Sequence, residues 1–205
     1  MDRYIAIVDY GAGNLFSMKN ALDYIGARSI ITSEPEALER SAAVLLPGVG
    51  AFPDAMQRLK ETGLIPVLQA EAQKKPLLGI CLGMQMLFDY STEFGRTEGL
   101  GLIPGHVDRI PCRGLKLPHI GWNELKICQP SPILEGAKDG DFVYFVHSFA
   151  AFCGERYLLA STDYGCTVPA LVGSGTVFGA QFHPEKSGGV GLRMLQNFAK
   201  VVAGE

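Results

Sequence analysis

No run of the sequence approaches the roughly 20 apolar residues needed to span a bilayer. Lysine and arginine nowhere cluster into a patch suited to nucleic acid or anionic lipid. Charge as a whole is scarce: 18 Lys+Arg and 21 Asp+Glu give a formal net charge of −3, and charged residues are 19% of the chain. These balances argue against nucleic-acid and membrane partners. The opening Met1-Asp2-Arg3, followed by a short strand-like run, lacks the layout of a signal peptide. Disulfide and zinc patterns are missing too. The five cysteines, Cys81, Cys112, Cys128, Cys153 and Cys166, are odd in number and show no C-x-x-C spacing, which points to a reducing cytoplasm. Cys112, Cys128, Cys153 and Cys166 are expected to be buried packing residues. Nucleotide signatures are also absent. Gly11-Ala12-Gly13 would need a glycine at position 16 to complete G-x-G-x-x-G, but Phe16 stands there, and G-x-x-x-x-G-K-[ST] does not occur. Without an internal repeat, a low-complexity tract or a long linker, residues 1–205 read as one domain.

Apolar residues are what the chain has in quantity, 47% of the total, enough for a domain that buries roughly 70% of its extended surface. Glycine is the other excess: 25 of 205 residues, against a usual share of roughly 7%. The first half alternates strand and helix. Strands are expected at 4–8, 29–32, 43–46 and 76–80. Helices are expected at 15–25, from a capping box at Ser33-Glu34-Pro35-Glu36, at 53–62, at 64–74 and from 84 to about 90. This rhythm calls for a parallel sheet with helices on both faces, and such sheets bind ligands at the carboxyl ends of their strands. From Gly105 the runs become short and β-rich, at 106–110, 122–127, 142–146, 157–161, 170–172 and 177–182. The turn Gly173-Ser174-Gly175 reads as a hairpin between the last two, and a final helix covers about 190–202. The expected fold is therefore α/β, an open and mostly parallel sheet flanked by helices, with a β-rich second half.

Cys81 is the most informative residue. Gly79-Ile80-Cys81-Leu82-Gly83 is the cysteine form of the G-x-S-x-G nucleophile elbow, set between an apolar strand and a helix. The glycines on either side let the backbone turn sharply and hold the thiol above the sheet edge. The N-terminus of the following helix favours thiolate, and the Leu82 amide is placed to bind an oxyanion. A cysteine between glycines can also be a small buried hydrophobe, but the strand–elbow–helix context favours the nucleophile. A nucleophile needs a base and the base an orienter. His183 in Gln181-Phe182-His183-Pro184-Glu185 follows the last strand, and at a strand end residues i and i+2 project to one side. Glu185 can then fix one ring nitrogen of His183 and leave the other for Cys81. Pro47-Gly48-Val49-Gly50 follows a strand expected beside that of Cys81, and its glycines allow a peptide to rotate and aim an amide, that of Val49, at an oxyanion.

Together these motifs resemble the class I glutamine amidotransferases, and the resemblance covers essentially the whole chain. Asp9-Tyr10-Gly11-Ala12-Gly13-Asn14, Pro118-His119-Ile120-Gly121-Trp122-Asn123 and His183-Pro184-Glu185-Lys186-Ser187 are similar to one branch, the glutaminase subunits of imidazole glycerol phosphate synthases. Met84 stands where the small subunits of anthranilate synthase usually have histidine, and Ile120 replaces an expected methionine, a volume-conserving swap. The resemblance implies a flavodoxin-like fold with Cys81, His183 and Glu185 catalytic and Val49 and Leu82 supplying oxyanion amides. It implies Gly50, Gln85 and the backbone of Ser148 and Phe149 as glutamine contacts. Asn14, Trp122, Tyr144 and Lys186 would face a separate (β/α)8 barrel cyclase that receives ammonia in histidine biosynthesis. No cofactor and no metal is implied. Trp122 and Tyr144 could instead be core aromatics. Cysteine peptidases and γ-glutamyl hydrolases share the elbow and would need no partner, but the segments at 118–123 and 185–187 argue against them.

Overall fold

A computed structural model describes residues 3–112 and 114–203; Met1 and Asp2, part of the segment judged against a signal peptide, lie outside them. In chain order the strands are β1 (Ile5–Val8), β2 (Ser29–Thr32), β3 (Ala43–Gly48), β4 (Leu77–Cys81), β5 (Tyr90–Ser91), β6 (Thr97–Glu98) and β7 (His106–Arg109). They continue as β8 (His119–Glu124), β9 (Lys126–Ile127), β10 (Phe142–His147), β11 (Phe149–Phe152), β12 (Leu158–Asp163), β13 (Thr167–Ser174) and β14 (Val177–Ala180). The helices are α1 (Leu15–Tyr24), α2 (Pro35–Arg40), α3 (Phe52–Glu61), α4 (Ile65–Glu71), α5 (Leu82–Gln85) and α6 (Gly188–Ala203). No helix of the described residues is long and apolar enough to cross a membrane.

The main sheet has eight strands in the order β2-β1-β3-β4-β14-β13-β12-β9. The first five run parallel and the remainder antiparallel. Alternation along each strand feeds two separate cores. Ile5, Ile7 and Leu45 pack with α1 and α6 residues such as Leu22 and Phe198, whereas Ala6, Val8, Val44 and Leu46 pack with Leu38, Leu59 and Leu68 on the other face. Both faces being covered explains why these strands are uninterrupted apolar runs. Two small sheets, β10-β8 and β11-β7-β5-β6, stand beside the main one.

Several sequence expectations need correction. Glu34, not Ser33, is the N-cap of α2, and no side chain caps it. Pro35 opens the helix with a preset φ and no N–H to satisfy, so a capping box has less to do. The helix expected from Met84 to Tyr90 is a single turn ending at Gln85. The following Met86, Leu87 and Phe88 are all buried, so no polar face exists to sustain an amphipathic helix, and Tyr90 belongs to a strand. The run 122–127 splits where buried Leu125 gives its N–H to the Asp141 carbonyl, and β8 and β9 enter different sheets. The hairpin between β13 and β14 turns at Gly175-Thr176, since Ser174 pairs with Val177. Of the cysteines expected to be buried, Cys128 is exposed and Cys112, Cys153 and Cys166 are half-buried.

Candidate active site

Three neighbouring parallel strands bring the site together at their carboxyl ends. Gly48 at the end of β3 is in register with Cys81 at the end of β4, and Ala180 of β14 lies beside Ile80. The chain beyond β14 then reaches His183. The turn at Cys81 has φ +55° and ψ −114°, a strained backbone for a residue with a Cβ. Close packing holds it. A Cβ on Gly83 would collide with the Leu46 carbonyl, and one on Gly79 would meet the Gly83 carbonyl at 2.6 Å. Leu82 opens α5, so its N–H has no intrahelical acceptor. The helix is too short to supply the full dipole expected from the sequence.

The Cys81 sulfur is buried, 4.0 Å from the Val146 carbonyl and 3.9 Å from Gln181 Nε2. The side chains of His183 and Glu185 are each 3% exposed, and His183 Nδ1 lies 2.8 Å from Glu185 Oε1. This contact arises within a 3-10 turn over Pro184–Lys186 rather than from strand alternation, which corrects the expected geometry but not the pairing. Ser187 Oγ donates to the His183 carbonyl at 2.6 Å and accepts from the Tyr144 N–H at 3.0 Å, tying the turn to β10. His183 Nε2 and Glu185 Oε2 have no hydrogen-bond partner among the described residues. Burial works to lower the His183 pKa, but Cys81 and the Glu185 carboxylate outweigh it together and hold the ring up at about 9.

A cavity of about 370 Å3 opens over Cys81 and His183. Val49, Gly50, Leu82, Gln85, Ser148 and Phe149, all singled out in the sequence, line it. Gly50 has φ +99°, where a side chain would be strained. The loop before it is anchored by Tyr10 Oη, which donates to the Pro47 carbonyl at 3.0 Å; burial, followed by the charge of Cys81, pushes the phenol well above its ordinary range. Gln85 Nε2 donates to the Phe149 carbonyl and to Gln181 Oε1, both at 2.9 Å. Glu93, Pro118, Val146 and His147 also line the cavity and were missed by the sequence reading. Glu93 lies between β5 and β6 with no motif around it, and its Oε2 accepts from the Phe52 N–H at 2.7 Å. It gives the cavity a carboxylate suited to an ammonium group.

Trp122 and Tyr144 sit opposite each other across β8 and β10, with rings 6.1 Å apart at 70°. Trp122 is 54% exposed, which excludes the core reading for it, and Tyr144 is half-buried. Lys186 Nζ stands 5.7 Å from the Tyr144 ring. Asn14 is half-buried at the start of α1, a helix that contacts the turn carrying Lys186.

Residues 6–202 match the family model described as glutamine amidotransferase class-I. The chain belongs to that family. This amidotransferase is 52% identical over 199 residues to the imidazole glycerol phosphate synthase subunit HisH of Bacillus cereus (strain G9842), covering 97% of this chain and 95% of the relative. The HisH subunit of Bacillus anthracis (strain A0248) is 51% identical over the same shares of both chains. A crystal structure of a glutamine amidotransferase matches the fold of this one with a TM-score of 0.76 at 22% identity, covering 98% of this chain and 99% of that one.

Proposed function

We propose that this amidotransferase is the glutaminase subunit of an imidazole glycerol phosphate synthase, a cytoplasmic enzyme of histidine biosynthesis. The observation that carries the reading is the convergence of Cys81, the His183–Glu185 pair and the Val49–Gly50 loop on one cavity, in a chain so similar to HisH subunits. Cys81 Sγ attacks the side-chain carboxamide carbon of glutamine, and the oxyanion is held by the amides of Leu82 and Val49. With its pKa at about 9, His183 is protonated at neutral pH and gives that proton to the nitrogen as the C–N bond breaks and ammonia leaves. A γ-glutamyl thioester remains. His183, now neutral, takes a proton from water, whose hydroxide attacks the thioester; the sulfur leaves as the thiolate, glutamate departs, and the thiolate beside protonated His183 is restored. Glu185 orients the ring throughout. The Glu93 carboxylate binds the α-ammonium of glutamine, and Gly50, Gln85, Ser148 and Phe149 hold the rest.

The amidotransferase match spans residues 6–202, and the relatives this chain is similar to are named as subunits of a synthase. Ammonia therefore passes to a partner subunit, a (β/α)8 barrel cyclase that makes imidazole glycerol phosphate and an aminoimidazole carboxamide ribonucleotide. Exposed Ile120, Trp122 and Phe142, with Asn14, Tyr144 and Lys186, provide the docking face. The test is glutamate release from glutamine by the chain alone, with the barrel, and with the barrel plus its nucleotide ligand. Release rises at least about a hundredfold in the full mixture if the barrel gates the site, about 3 kcal/mol of transition-state stabilisation. Release indifferent to the barrel would reassign the partner and the pathway.

A further inference from the structure

Next to the cavity two buried histidines form a hydrogen-bond chain whose every proton can be assigned. The Phe149 carbonyl can only accept, so His147 Nδ1, 2.8 Å away, carries a hydrogen. In a neutral ring His147 Nε2 is then an acceptor, and His119 Nδ1 donates to it across 3.0 Å. His119 Nε2 in turn accepts from Asn123 Nδ2 at 3.3 Å, whose other hydrogen goes to the Asp163 carbonyl at 2.8 Å. The assignment is consistent from end to end and requires both rings to be neutral. A second proton on either ring would set N–H against N–H. Burial holds both histidines at about 4, so the chain stays in this one arrangement at neutral pH. Stacking fixes His119 as well: its ring lies between Phe145, 4.7 Å away at 20°, and Tyr164, 4.0 Å away at 23°.

At the other end the Phe149 carbonyl also accepts from Gln85 Nε2, so both its lone pairs are filled. Gln85 is thereby oriented with its nitrogen committed to Phe149 and Gln181, and its carbonyl oxygen is the end left for a substrate donor. We propose that His119 and His147 are positioning residues of the glutamine site: each locked in its Nδ1–H tautomer, they fix the Phe149 carbonyl and through it Gln85. The proposal rests on reading the cavity as a glutamine site. His119 does not line the cavity and acts only through His147, by dictating which of its nitrogens is protonated. Without that donor His147 also populates the Nε2–H form, whose Nδ1 lone pair repels the Phe149 carbonyl.

The test compares His119→Phe, which keeps the aromatic stack but removes the donor, with His119→Asn, whose Nδ2 restores a donor near the Nδ1 position. In the complex with the partner subunit, the Phe variant raises KM for glutamine about five- to tenfold, the scale of one lost buried hydrogen bond, with kcat within about twofold. The Asn variant returns KM to within about twofold of the parent. The ring nitrogen chemical shifts of His147 give a second readout: Nδ1–H alone in the parent and the Asn variant, and a tautomer mixture in the Phe variant. Unchanged KM in the Phe variant, equal impairment in both variants, or an Nε2–H ring at His147 in the parent would overturn the proposal. If the parent complex fails to hydrolyse glutamine, the proposed function falls, and the ring shifts alone decide the positioning pair.

Discussion

Cys81 occupies a backbone conformation that a side chain normally avoids, φ +55°, and that strain is held by packing on both sides of it. Beside it the His183–Glu185 pair is almost fully shielded, so its electrostatics act with little screening by solvent. The His183 pKa of about 9 stands above its ordinary 6.5, which means that the native state binds the proton more tightly than the unfolded chain. The stabilisation from this site is complete below pH 6.5 and disappears as pH rises through about 9. In urea unfolding, the stability difference between the wild type and His183→Asn should shrink steadily from pH 6.5 to 9. A difference that stays level across that interval would mean that the ring is not held protonated. Cys81 and His183 were legible in the sequence because glycines and proline punctuate them at fixed spacing. Glu93 and His147 were not, because each reaches the cavity through tertiary packing with no local pattern.

Among the elements, the meeting of β3, β4 and α5 matters most. The backbones of Leu46 and Gly83 approach so closely that only a hydrogen fits between them, and this approach sets the distance from the Val49–Gly50 loop to the elbow. Gly83→Ala should destabilise the fold by about 2–3 kcal/mol, as overpacking against backbone does, read as a lower urea midpoint with unchanged slope. An unchanged midpoint would contradict the close approach. Strands β1 to β4 could be read directly, since each is a short apolar run closed by glycine, proline or polar residues. Strand β11 could not. Only Ser148 separates it from β10, and the near-continuous apolar stretch conceals a change of sheet at which β10 pairs with β8 and β11 with β7. The same opacity hid the early end of α5, where Met84–Phe88 has no polar side to reveal its period.

At the scale of the whole molecule, the two halves divide the work. The parallel half places Cys81 and the Val49–Gly50 loop, and β14, inserted beside β4, carries His183 and Glu185 to them from the other half. The β8–β10 sheet turns His119 and His147 inward, of which only His147 reaches the cavity wall, and Ile120, Trp122 and Phe142 outward to solvent. An apolar patch of this kind next to the site suits a partner that must receive a small neutral product without losing it to water. On this account glutamine chemistry belongs wholly to this chain and acceptor chemistry wholly to the partner. The most direct measurement is synthesis by the assembled complex containing Cys81→Ala, supplied with either glutamine or ammonium salt. The account predicts that glutamine-dependent synthesis is lost, at least about 10³-fold as for removal of a catalytic nucleophile, while ammonia-dependent synthesis keeps the parental rate. Loss of both activities in an intact complex would contradict it.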